Sequence, residues 1–90
     1  MGIRISINEV LRSHTHGLDV VEVTGSTVVE CLRHLVKQFP NIEERLFDKD
    51  GNLLSYIEIY VNEESMHSEG LLKSITDGDK ISIALMIAGG

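Results

Sequence analysis

The sequence predicts an α+β roll, a small mixed sheet packed on one main helix. Three observations carry this. Segments at both ends and in the middle alternate apolar and polar residues, the period of half-buried strands. One segment, "TVVECLRHLVKQF", shifts to a helical period. With 90 residues and 42% hydrophobic content the chain holds a single core, since a domain of this size buries roughly 60% of its unfolded surface.

The elements follow in order. In "GIRISINEVL", Ile3, Ile5 and Ile7 point inward against Arg4, Ser6 and Asn8, which defines the first strand. "MGIRIS" also fits an N-acylation pattern, but the isoleucine alternation assigns it to that strand. The polar stretch "RSHTHG" connects to "LDVVEV", a β-branched run that returns as a hairpin partner. In the helix, Val28, Leu32, Leu35, Val36 and Phe39 form the apolar stripe and Cys31 borders it as a small hydrophobe. Thr27 and Glu30 make a capping box, Lys37 suits the last turn, and Pro40 stops the helix.

"NIEERLF" reads as a short turn of helix tucking Ile42 and Leu46 under the core, and Asp50-Gly51 as a reversal. "YIEIYV" is the third strand, Ile57, Ile59 and Val61 on one side and Tyr56, Glu58 and Tyr60 on the other. "NEESMHSEG" reads as loop, "LLKSI" as a short strand or turn, and "TDGDK" as a tight turn. "ISIAL" closes the domain with Ile81, Ile83 and Leu85 on one face.

Composition excludes several functions. Net charge is −6 and the eight Lys and Arg are scattered, so the cationic footprint of a nucleic-acid surface is missing. The single cysteine has no internal disulfide partner, no secretory leader pattern opens the chain, and the C-terminal apolar run is shorter than the ~20 residues that span a bilayer. A cytoplasmic protein is expected. His14 and His16 stand two apart without a cysteine or further histidine nearby, so they read as a solvated loop, and His34 and His67 as surface residues. "DKDGN" resembles the start of a calcium loop, but Ile59 occupies the place of the closing acid, so no metal is expected. No Ser or Cys sits in a motif with a matching His and acid, so no catalytic site is expected.

The tail remains. Gly89 and Gly90 are a poor way to finish a strand, because glycine loses the most conformational freedom and packs nothing. The expected division is a domain over 1–88 and a flexible diglycine tail over 89–90. A carboxylate on a stem without side chains can enter a narrow channel of another protein, and an acyl-adenylate at glycine cannot racemise.

Over nearly its whole length the chain resembles the ThiS/MoaD/CysO family of ubiquitin-like sulfur carriers. The resemblance runs through "GSTVVECLRHL", "FDKDGNLLSYIEIYVNEE" and "ITDGDKISIALMIAGG", and is strongest in "YVNEE" and in "DGDKISI" followed by "AGG". It implies a β-grasp fold with the last strand in mid-sheet. It also implies that an E1-like enzyme of the ThiF or MoeB type uses ATP to adenylate the Gly90 carboxylate, and that a sulfur donor converts the adenylate to a thiocarboxylate. The chain would be a co-substrate rather than an enzyme and would bind no cofactor itself. Gly90 would carry the sulfur, and Gly89 and Ala88 would form the stem.

Strand alternation places Tyr60, Ala84 and Met86 outward, either as an apolar docking patch or as ordinary surface residues. Many members have prolines before the final residues, where this chain reads Leu85-Met86-Ile87, which implies a less stiff tail. The segment "FDKDGNLLSYIEIYVN" looks more like molybdopterin-type or cysteine-biosynthesis-type members than thiamin-type ones. The acceptor is then a molybdopterin-synthase large subunit or an enzyme of cysteine-synthase type. Two further readings are a protein modifier joined to lysines through Gly90 and a β-grasp module without covalent chemistry.

Overall fold

The computed structural model describes residues 2–65 and 70–86. A five-stranded mixed sheet has the order β2-β1-β5-β3-β4, comprising β1 (Ile3–Ser6), β2 (Val20–Val23), β3 (Ile57–Val61), β4 (Glu64–Ser65) and β5 (Lys80–Leu85). β5 runs parallel to β1 and antiparallel to β3, so the last strand lies in mid-sheet as the resemblance implies. Helix α1 (Val28–Gln38) covers one face and the short helix α2 (Glu43–Leu46) follows it.

The alternation works as expected. Ile3, Ile5, Ile7, Val21, Val23, Ile57, Ile59, Val61, Ile81 and Ile83 are buried, and they share the core with Val28, Cys31, Leu32 and Leu35 of α1. Ile42 and Leu46 are fully enclosed beneath this layer. Burial pushes the Cys31 thiol above its ordinary range, reinforced by the negative charges of Glu30 and Asp79, which keeps it a neutral packing group.

Thr27 caps α1, its hydroxyl accepting from the Glu30 N–H at 3.3 Å. The Glu30 carboxylate reaches one residue further back than a capping box requires and accepts from the Ser26 N–H at 2.7 Å. Beside this cap, Val28 N–H donates to the Lys73 carbonyl and Ile75 N–H to the Ser26 carbonyl, which sews residues 73–75 onto the helix entrance. Gly25 lets the chain pass close against the first turn of α1. A Cβ there would stand 2.9 Å from the Cys31 backbone nitrogen and 3.0 Å from its Sγ.

Two connections depart from the sequence expectation, and a third, "LLKSI", agrees with its reading as a short strand or turn. The stretch from Glu9 to Thr15 is a 3-10 helix rather than an irregular polar loop. It begins because the Asn8 side chain accepts from Val10 N–H at 2.8 Å and so ends the strand. It persists because Leu11 and Thr15 turn into the core, the Thr15 hydroxyl donating to the Leu18 carbonyl at 2.9 Å. The segment "NEESMHSEG" is not all loop: Asn62 and Glu63, at φ 51° and 73°, make a two-residue hairpin turn that pairs β4 with β3. "LLKSI" contains a 3-10 turn over Gly70–Leu72 and a single bridge from Ser74 to Thr27.

One polar cluster joins these parts. The Asn62 amide donates to Asp79 Oδ1 at 2.9 Å, its carbonyl oxygen accepts from Lys80 N–H at 3.0 Å, and its own N–H donates to the Lys80 carbonyl at 2.8 Å. Asp79 Oδ2 accepts from the Thr76 N–H at 2.9 Å across the Thr76–Asp79 turn, where Gly78 supplies φ 94°. The Asp79 carbonyl accepts from Arg4 N–H. The residues that carry the family resemblance, "YVNEE" and "DGDKISI", therefore hydrogen-bond directly to one another. Thr76 N–H foremost, then the Asn62 amide, hold the Asp79 carboxyl below its usual range.

Two outcomes follow from this packing. Gly25→Ala is expected to lower stability by about 2 kcal/mol, because backbone rather than a flexible side chain must yield, and urea denaturation measures it. Asp79→Asn places an amide donor opposite the Asn62 donor and lowers the urea midpoint at neutral pH. Since the folded carboxyl is depressed, its stabilising contribution is present above the ordinary carboxylate value and is lost as pH falls through the folded value. The gap between wild type and Asp79→Asn is thus expected to close as pH is taken below about 4, and a gap independent of pH would contradict the assignment.

Candidate functional site

The sheet face opposite α1 is where the outward residues gather. Register places Arg4 beside Lys80 and Ser6 beside Ser82 on the β1 side. On the β3 side it places Tyr60 beside Ser82 and Glu58 beside Ala84. The ladder continues one step past the end of β5, where Met86 N–H donates to the Tyr56 carbonyl at 2.7 Å. The face thus runs from two cations at the start of β5 to Ala84, Met86 and Tyr56 at its end.

Tyr60, Ala84 and Met86 share this outward face, as alternation predicts. Tyr60 and Ala84 are half-buried, and Met86 is 51% exposed. The register does not bring them together as an uninterrupted apolar patch. Glu58, also half-buried, stands directly across from Ala84 and between Tyr56 and Tyr60 along β3, its Oε1 accepting from the Ser65 hydroxyl at 3.1 Å. Tyr56, 43% exposed, extends the face to the foot of the tail. Sequence reasoning put Tyr56 and Glu58 on the outward side of β3 but gave them no role. The missing information was which residues of β5 they face.

Gly90, Gly89 and Ala88, the expected sulfur-bearing end and its stem, lie outside the described residues, as does His67. Met86 is the last described residue before them, and β5 is fixed by β1 on one side and β3 on the other.

The histidines divide differently from expectation. His34 is not a plain surface residue: its Nδ1 accepts from Thr24 N–H at 2.9 Å, so the neutral ring carries its proton on Nε2. Gln38 Nε2 donates to the Glu22 carbonyl at 2.9 Å. Both side chains reach from α1 to the free edge of β2 and cover backbone groups that would otherwise template another strand. His16, at φ 56°, sets its ring edge against Phe39, with centroids 5.3 Å apart. Among the described residues no group of three His, Cys, Asp or Glu is placed to hold a metal ion, and no helix is long and apolar enough to cross a membrane.

A sequence model of the ThiS family matches residues 5–90. The sulfur carrier protein CysO of Mycobacterium tuberculosis is 38% identical over 93 residues, with both chains covered completely. Among solved structures, a chain of the Amycolatopsis orientalis BexX/CysO complex superposes with a TM-score of 0.89 at 36% identity, covering 99% of this chain and 100% of that one. SAMP1 from Haloferax volcanii superposes with a TM-score of 0.85 at 26% identity, covering 98% of each. The β-grasp sheet, the contact between the two motifs and these end-to-end matches make the chain a member of the ThiS family, similar over its whole length to sulfur carriers of the CysO type.

Proposed function

We propose that this chain carries sulfur as a thiocarboxylate at Gly90. The observation that supports the reading most is the match of residues 5–90 to the ThiS family, joined to a central last strand whose end, Leu85, lies five residues before Gly90. In the proposed sequence, a terminal carboxylate oxygen attacks the α-phosphorus of ATP on an E1-like enzyme of ThiF or MoeB type and pyrophosphate leaves. Hydrosulfide from a sulfur donor then attacks the acyl carbon, AMP departs as the acyl–oxygen bond breaks, and loss of the sulfur-bound proton leaves the thiocarboxylate. The sulfur is the nucleophile delivered to an acceptor enzyme. Gly89 and Ala88 supply a stem thin enough for a narrow channel, and Tyr60, Ala84 and Met86 belong to the surface that meets the partner. All catalysis resides in the partners, which makes the chain a co-substrate.

The acceptor branch proposed is the cysteine-synthase type rather than the molybdopterin type. Similarity to CysO extends over both whole chains at 38% identity, whereas a putative molybdopterin converting factor subunit from Pyrococcus furiosus is 18% identical and shares only the fold. That a relative is seen in the BexX/CysO complex supports uptake of such a chain by a partner protein. A second reading, conjugation to lysines through Gly90, draws support from SAMP1, a small archaeal modifier protein by name. It predicts isopeptide-linked ladders in cell extract.

The intact mass after incubation with ATP, the activating enzyme of the same organism and a sulfide source tests the proposal. The expected gain is that of one oxygen replaced by sulfur, absent in a copy lacking Gly90. No gain, with the activating enzyme shown to charge a known carrier, overturns it.

A further inference from the structure

The outward face of β3 carries Glu58 and Tyr60 at the two-residue spacing of one strand face, about 7 Å apart, and Tyr56, just before β3, joins the same ladder through the Met86 N–H bond to its carbonyl. Glu58 is an unusual centre for such a group. It is half-buried, flanked along the strand by two aromatic residues and across it by Ala84, with Met86 beyond. One carboxylate oxygen, Oε1, accepts from the Ser65 hydroxyl at 3.1 Å. A half-buried carboxylate on an outward sheet face is a ready acceptor for a cationic side chain of a partner. The face offers the aromatic walls such a group prefers.

We propose that Tyr56, Glu58 and Tyr60 form a notch that receives an arginine side chain of the protein that takes up the tail. A planar guanidinium can donate to the carboxylate while lying against a phenol ring, which the compact, strongly hydrated ammonium of lysine does less well. Charge favours the same partner chemistry, because a chain of net charge −6 draws a cationic contact surface toward it. Position specifies which partner: the Met86 N–H is bonded to the Tyr56 carbonyl, so the notch borders the last described residue before the tail. The inference deepens the carrier reading and rests on it for the identity of that partner.

The test is equilibrium binding of the full chain to the ATP-dependent activating enzyme of the same organism, by calorimetry at low and high salt. Glu58→Gln is the central variant, since its amide oxygen still accepts the Ser65 hydroxyl, and an unchanged thermal midpoint confirms the fold. The expected result is binding weakened about tenfold with a flatter salt dependence. Tyr56→Ala weakens binding similarly, and Tyr56→Phe, which keeps the ring, binds like wild type. Equal affinity and salt dependence for wild type and Glu58→Gln, or no binding by either, overturns the notch. The two proposals separate cleanly. Glu58-dependent binding without any sulfur mass gain sinks the carrier reading and leaves the notch standing, whereas sulfur gain with Glu58-independent binding does the reverse.

Discussion

Asn62 and Asp79 decide where β5 begins. Asn62 sits at φ 51° in the turn after β3, a conformation its short amide tolerates, and from there it bonds both the Asp79 side chain and the Lys80 backbone. Asp79 in turn holds its own turn through Thr76 and meets β1 through Arg4. A strand slipped by one residue would exchange Ile81 and Ile83 for Lys80 and Ser82 in the core, so the polar clamp and the hydrophobic pattern select the same register. Every β5 residue on the outward face, from Lys80 to Met86, takes its position from that choice.

The helix side depends on an equally short list of close contacts. Gly25 lets the chain pass against the first turn of α1, and the segment over residues 73–75 closes on the same place. Because a ninety-residue domain has little core to spare, these backbone bonds matter more than surface ion pairs. The free edge of β2 is handled by the same helix, with His34 and Gln38 covering backbone groups that would otherwise invite a second chain.

For a carrier, the last described anchor of the tail is the Met86 N–H bond to the Tyr56 carbonyl. β5 is paired with β1 over Lys80–Ser82 and with β3 as far as Leu85, so among the described residues β3 alone holds the strand at the end from which the tail departs. The outward face grades from Arg4 and Lys80 to Tyr56, Ala84 and Met86, with Glu58 set among the apolar groups. Such a surface suits a partner that matches charge as well as shape.

Much of this was legible in the amino-acid order. Isoleucines two apart, an apolar stripe at helical spacing, Thr27 at its cap and Pro40 at its end are local signals, and each marks its element whatever surrounds it. Ile42 and Leu46 were legible as core for the same reason. The hairpin at Asn62-Glu63 was not, because it reaches positive φ without glycine, and neither was the 3-10 helix, which depends on Asn8 competing with a strand ladder. The sequence by itself determined which residues face inward and that the chain resembles a sulfur carrier. Only the tertiary structure decided that Asn62 meets Asp79, that His34 covers a strand edge, and that Glu58 stands across from Ala84, because pairing between distant strands is settled by the register of the whole sheet.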